Sequence, residues 1–128
     1  MESSIQGIVT KYKGNGRKLG YPTANIAVKS NNKDGVYFGY AGLGKYINSP
    51  SLVFIGVPKT IGDTDNRVEV HILDIPDIDY YGETLTIRIT HFYRDNKKFE
   101  SIEQLVTAMK QDEKAARGWF LENKDISK

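Results

Sequence analysis

Two hydrophobic periods divide the chain. Residues Arg67–Leu73 alternate, with Val68, Val70 and Ile72 on one face and Glu69, His71 and Leu73 on the other. Thr84–Tyr93 repeats the pattern, setting Leu85, Ile87 and Ile89 against Thr86, Arg88 and Thr90. Ile5–Tyr12, the aromatic and branched run Gly35–Leu43, and the apolar run Ser51–Val57 also read as strands. Lys13–Gly20 and Pro58–Asn66 carry the glycines, prolines and polar residues of connecting loops. After residue 100 the period lengthens. Ser101 with Gln104 forms a capping box, and Ile102, Leu105, Val106 and Met109 follow at helical spacing. Asp112 is expected to cap a second helical stretch, with Ala115, Ala116, Trp119 and Phe120 as its apolar stripe. Strands followed by helices predict an α+β, mainly β fold. Loops too short for helical crossovers require antiparallel pairing, and a closed small barrel removes the exposed edges.

The 128 residues predict one domain over 1–128, with the barrel at about 5–93 and the helical tail at about 101–122. Hydrophobic residues at 39% and charged residues at 27% exclude a disordered chain. No apolar run approaches the ~20 residues of a membrane span, and Met1-Glu2-Ser3-Ser4 opens no secretory signal. A cytoplasmic monomer without membrane contact is the expectation. Cysteine is absent, which removes disulfides, thiol nucleophiles and Cys-ligated zinc. The net charge of +2, from 18 basic and 16 acidic residues, is too small for a dedicated nucleic-acid binder, whereas the phosphates of one nucleotide need only a local basic patch.

Such a patch lies in Gly14-Asn15-Gly16-Arg17-Lys18-Leu19-Gly20-Tyr21-Pro22-Thr23-Ala24-Asn25. It lacks the GKS/T ending of a Walker A loop, and no helix follows it as a dinucleotide fingerprint requires. Its glycines permit close approach of backbone N–H groups to phosphate oxygens, and Arg17 and Lys18 bring charge. Thr23 and Asn25 point to one side of an extended segment and offer neutral oxygens of the kind Mg²⁺ accepts. From composition alone the segment also reads as a basic surface loop ending in a Pro turn. Glu69 faces away from its apolar neighbours, so it is either a solvated strand residue or a carboxylate placed to take a proton from a hydroxyl. His71 and His91 have no third ligand at metal spacing and read as structural. Arg94 and Phe99 sit in a charged turn that is either solvated or a rim for a flat ligand. Trp119 and Phe120 read as core anchors.

The run GNGRKLGYPTANI resembles the signature of riboflavin kinases, G-x-G-R-x-L-G-[FY]-P-T-A-N. Further landmarks follow in that family's order: GVY at Gly35–Tyr37, Ile55-Gly56, VEVHILD at Val68–Asp74, Tyr81-Gly82 and YRDNKKF at Tyr93–Phe99. The resemblance implies a six-stranded antiparallel Greek-key barrel with C-terminal helices. It implies Mg²⁺-dependent transfer of the ATP γ-phosphate to the 5′-hydroxyl of riboflavin, giving FMN. It assigns Glu69 as general base, and Thr23 and Asn25 to Mg²⁺ and phosphate. Gly14, Gly16, Arg17, Lys18, Gly20 and Pro22 fall to ATP, and Arg94 and Phe99 to the flavin side. ATP and riboflavin would then be the partners. The chain departs from the pattern usual in bacterial members at Phe54–Thr60, which lacks an Asn and has its Pro one place early, and from the usual R-x-E at Arg94-Asp95-Asn96, which lacks the Glu. A non-catalytic flavin- or nucleotide-binding barrel is the alternative; it predicts loss of the base or metal residues, and Thr23, Asn25 and Glu69 are all present.

Overall fold

The computed structural model describes residues 3–10, 23–26, 32–56, 67–76 and 80–123. Six strands, β1 (Ser3–Thr10), β2 (Ala24–Ile26), β3 (Gly35–Leu43), β4 (Tyr46–Gly56), β5 (Arg67–Ile72) and β6 (Thr84–Arg94), precede one helix, α1 (Ile102–Glu122). The strands close in the order β1-β2-β5-β4-β3-β6, every pair antiparallel. Closure gives every strand a neighbour on both sides, although three-residue β2 meets β1 only at Val9 and Thr10. The alternation read from the sequence holds: Val68, Val70, Ile72, Leu85, Ile87 and Ile89 face inward, with Val9, Ile26, Tyr37, Leu43, Val53 and Ile55.

A second apolar layer lies outside the barrel. Val36, Phe38, Tyr40 and Leu52 project outward and pack under Ala116 and Phe120 of α1. Phe38 anchors this layer, stacking on Tyr93 at 4.8 Å and lying 6.1 Å from the Phe120 ring. The expected core role of Phe120 holds; Trp119, only half-buried, stacks on His91 at 5.4 Å. One irregularity shapes the wall beneath. The register of β6 against β3 shifts between Phe38 and Gly39, and the Thr90 hydroxyl donates to the Phe38 carbonyl at 3.1 Å. A Cβ on Gly39 would stand 2.5 Å from the Arg88 carbonyl oxygen, so the two strands approach this closely only because residue 39 has no side chain.

Two expectations change. The hairpin strand β4 begins at Tyr46 rather than Ser51; none of Tyr46–Pro50 is buried, and the stretch carries no apolar alternation. The tail is one 21-residue helix, not two stretches. Its start is as expected, with Ser101 Oγ accepting from the Gln104 N–H at 3.1 Å. Asp112, however, is no cap: it sits mid-helix on the buried stripe Met109, Asp112, Ala116 and Phe120. Its carboxylate accepts from Arg94 Nε at 2.9 Å and Arg94 Nη2 at 2.7 Å, a two-pronged pairing that satisfies a charge only 2% exposed. The pair fastens the end of β6 to the middle of α1.

Taking one partner from a buried ion pair leaves the other charge uncompensated. Asp112→Ala should therefore lower the unfolding free energy by about 3 kcal/mol, read as a lower urea midpoint at an unchanged slope. A wild-type midpoint would show that the pair does not hold the helix.

Candidate active site

The site begins with the shortest strand. In β2, Ala24 and Ile26 turn into the barrel and pair with Val70 and Val68 of β5. Alternation then sends Asn25 outward, directly opposite Glu69. Thr23, two residues before Asn25, lies on the same side, and its hydroxyl donates to Glu69 Oε2 over 3.4 Å. The two oxygen-bearing residues singled out in the sequence thus meet the candidate base across one strand pair.

Burial is uneven within this group. Thr23 and Glu69 are half-buried, whereas Asn25 is only 6% exposed. Its side-chain oxygen Oδ1 is buried without a hydrogen-bond partner among the described residues. Its backbone carbonyl accepts from the Thr10 hydroxyl at 3.5 Å. A buried amide oxygen left unpaired costs about 1–3 kcal/mol, so the arrangement suits a ligand that supplies a positive charge or a donor there. Thr Oγ1, Asn Oδ1 and a carboxylate are hard oxygen donors, the set that fits Mg²⁺ alongside substrate phosphates and water. Among the described residues no group of three or more His, Cys, Asp or Glu side chains is placed to hold a metal.

The strand register extends the site into a belt around the barrel. Glu69 pairs with Phe54 of β4, Phe54 with Val36 of β3, and Val36 with Arg94 of β6. Arg94 is thus three strand spacings from Glu69, roughly 14 Å at the usual spacing. Its guanidinium is engaged by Asp112 and lies 5.7 Å over the Phe99 ring, so the two residues expected on the flavin side come together. Lys97 approaches the same ring at 5.0 Å. Gly14, Gly16, Arg17, Lys18, Gly20 and Pro22 lie outside the described residues.

His71 shares the outward face of β5 with Glu69 and pairs with Leu52. His91 belongs to the aromatic layer, between Phe38 and Trp119. Sequence reading missed two supports. One is the Arg94–Asp112 pair. The other is Arg117, which forks onto Asp74 at 2.9 and 3.0 Å and onto Glu113 at 2.8 Å. The Arg117 hydrogen bonds hold the Asp74 carboxyl below its ordinary range. They tie the turn after β5, where Asp74 adopts φ 64°, to α1. The signal for the Asp112 pair was a carboxylate standing in line with Met109, Ala116 and Phe120. The remaining miss, Phe54 beside Glu69, is visible only once the strands are paired.

No helix among the described residues is long and apolar enough to cross a membrane. Residues 1–120 match the family model described as Flavokinase: Riboflavin kinase. Human riboflavin kinase is 32% identical over 119 residues, covering 88% of this chain and 77% of the human protein. The trifunctional protein RibF/MnmA of Mycoplasmoides gallisepticum is 33% identical over 118 residues, and this chain spans only 18% of its length. Among solved structures, a chain described as a macrolide-efflux protein from Streptococcus pneumoniae superposes with a TM-score of 0.76 at 33% identity, over 91% of this chain and 38% of that one. The riboflavin kinase of Trypanosoma brucei superposes with a TM-score of 0.73 at 22% identity over 96% of this chain and 79% of that one, a likeness of fold. The barrel order, the outward Thr23–Asn25–Glu69 group and the match over residues 1–120 lead to one assignment: the chain belongs to the riboflavin kinase family.

Proposed function

We propose that this chain transfers the γ-phosphate of ATP to the 5′-hydroxyl of riboflavin, producing FMN and ADP, with Glu69 as the general base. The observation that carries this reading is the convergence of Thr23, Asn25 and Glu69 on one outward face, with a buried Asn25 oxygen left for a ligand. The names of the curated relatives agree with it.

A primary alcohol is a weak nucleophile, and its oxygen must lose a proton as it attacks. Glu69 orients the hydroxyl and accepts that proton. The new bond joins the ribityl oxygen to the γ-phosphorus, the bridging bond to the β-phosphate breaks, and ADP leaves with the electron pair. The Thr23 hydroxyl, bonded to Oε2, fixes the rotamer of the base. Asn25 and Thr23 would hold Mg²⁺ through their side-chain oxygens. When bound, the ion neutralises phosphate charge and so lowers the repulsion met by an incoming oxygen. Gly14, Gly16, Arg17, Lys18, Gly20 and Pro22 are assigned to the ATP phosphates on their sequence, backbone N–H groups and positive charge acting together. Arg94 and Phe99 are assigned to the flavin side. With so little covalent work for the protein, most of the acceleration comes from positioning and electrostatics.

Two variants separate this account from a barrel that merely binds. Glu69→Gln keeps size and hydrogen-bonding reach but cannot take the proton, so FMN turnover should drop by roughly 10²–10⁴-fold. Flavin binding, followed by fluorescence quenching, should stay within a few-fold, because the carboxylate acts chiefly in the transition state. Undiminished turnover would remove Glu69 from the base role. Thr23→Val preserves shape and deletes the oxygen; it should depress turnover severely and raise the Mg²⁺ concentration needed for half-maximal rate. Excess EDTA should abolish wild-type activity, and full activity in its presence would contradict the oxygen-ligand assignment.

A further inference from the structure

Phe54 occupies a position that the chemistry above does not use. It is the direct cross-strand neighbour of Glu69, and both side chains stand on the outer face of the barrel. Directly paired residues bring their Cβ atoms to about 5 Å, so the ring borders the carboxylate. Along β4 the outward row runs Leu52, Phe54, Gly56. Leu52 is fully covered, Phe54 is half-exposed, and Gly56 has no side chain. Phe54 also packs against the layer of Val36, Phe38, Leu52 and Phe120 under α1. It is therefore the last apolar side chain of that layer, at the line where the layer meets Glu69. On the other side of Glu69 stands Asn25, a polar residue. The base is thus walled by oxygen donors on one flank and by an aromatic ring on the other.

A half-buried carboxylate beside a transferable phosphoryl group activates whichever hydroxyl reaches it, and water is the smallest and most abundant candidate. If water attacks, its oxygen bonds to the γ-phosphorus, its proton passes to Glu69, the β–γ bridge breaks, and ATP yields ADP and inorganic phosphate with no FMN. Apolar surface at the attack position denies water the hydrogen bonds it would need there, while the flavin alcohol is held by its own larger body. We propose that Phe54 is the positioning residue that sets acceptor choice, excluding water from the flank of Glu69 so that the phosphoryl group goes to the alcohol. The proposal rests on the kinase reading above.

The test measures ADP and FMN together, with the whole purified chain, Mg-ATP and riboflavin. Wild type should give one ADP per FMN. Phe54→Ala should raise that ratio about fivefold and lower FMN turnover about tenfold, as expected when a water-excluding wall is removed, with the KM for ATP within twofold of wild type. Phe54→Leu, which keeps apolar bulk and guards against a folding defect, should give a ratio of about two. Fluorescence of Trp119 reports that α1 remains docked. A ratio of one in Phe54→Ala, or in Phe54→Leu where the alanine variant does not fold, overturns the role of Phe54 and leaves the kinase reading standing. A general fall in both products at an unchanged ratio also overturns it, since that is what a merely structural residue would give. A wild-type chain that makes no FMN overturns the kinase reading, and the proposal with it.

Discussion

The pairing of β2 with β5 carries more consequence than its three residues suggest. Ala24 and Ile26 fill the barrel against Val70 and Val68, and Asn25 between them is thrown outward onto Glu69. Side chains alternate with a period of two, so a slip of one residue would expose Ile26, which is fully buried, and drive Asn25 into an apolar interior. The core therefore enforces the register, and the register builds the site. Thr23 reaches Glu69 for the same reason. Stability and chemistry share one constraint here, and the unpaired Asn25 oxygen is the local cost of that arrangement.

The helix serves the same geometry from outside. Arg94–Asp112 fixes the last residue of β6 to the middle of α1, and Arg117–Asp74 fixes the turn after β5 to the next helical turns. The first contact is buried and strong; the second is exposed and counts mainly for direction. Between them the aromatic layer around Phe38 spreads under the helix as far as Phe54. The belt Asn25, Glu69, Phe54, Val36, Arg94 therefore passes from an amide and a carboxylate to an apolar floor and a fixed cation. Under the proposed function, phosphates would lie at the polar end of this belt and the flat flavin ring at the apolar end.

The amino-acid sequence disclosed those parts that depend on local pattern. Strands β3, β5 and β6 announce themselves by alternation or by branched and aromatic runs, and the capping box at Ser101 marks where α1 begins. Thr23 and Asn25 were legible as residues on one side, because their spacing alone decides it. What escaped depends on pairs remote in sequence. The Asn25–Glu69 contact spans 44 residues and follows from strand order, which no local period reveals. Asp112 read as a cap because Asp is a favoured N-cap residue; its true partner lies 18 residues earlier. The first half of β4 was invisible for a simpler reason, since Tyr46–Pro50 has no buried face to impose alternation.

Under the proposed function, the outward Thr23–Asn25–Glu69 group serves phosphoryl transfer to an alcohol rather than simply holding a nucleotide or a flavin. Incubating the purified chain with riboflavin and ATP in the presence of Mg²⁺, and separating the flavins by chromatography, tests it most directly. Riboflavin should be converted to FMN over many turnovers. Riboflavin recovered unchanged, under conditions where its fluorescence shows that it binds, would contradict the proposed function.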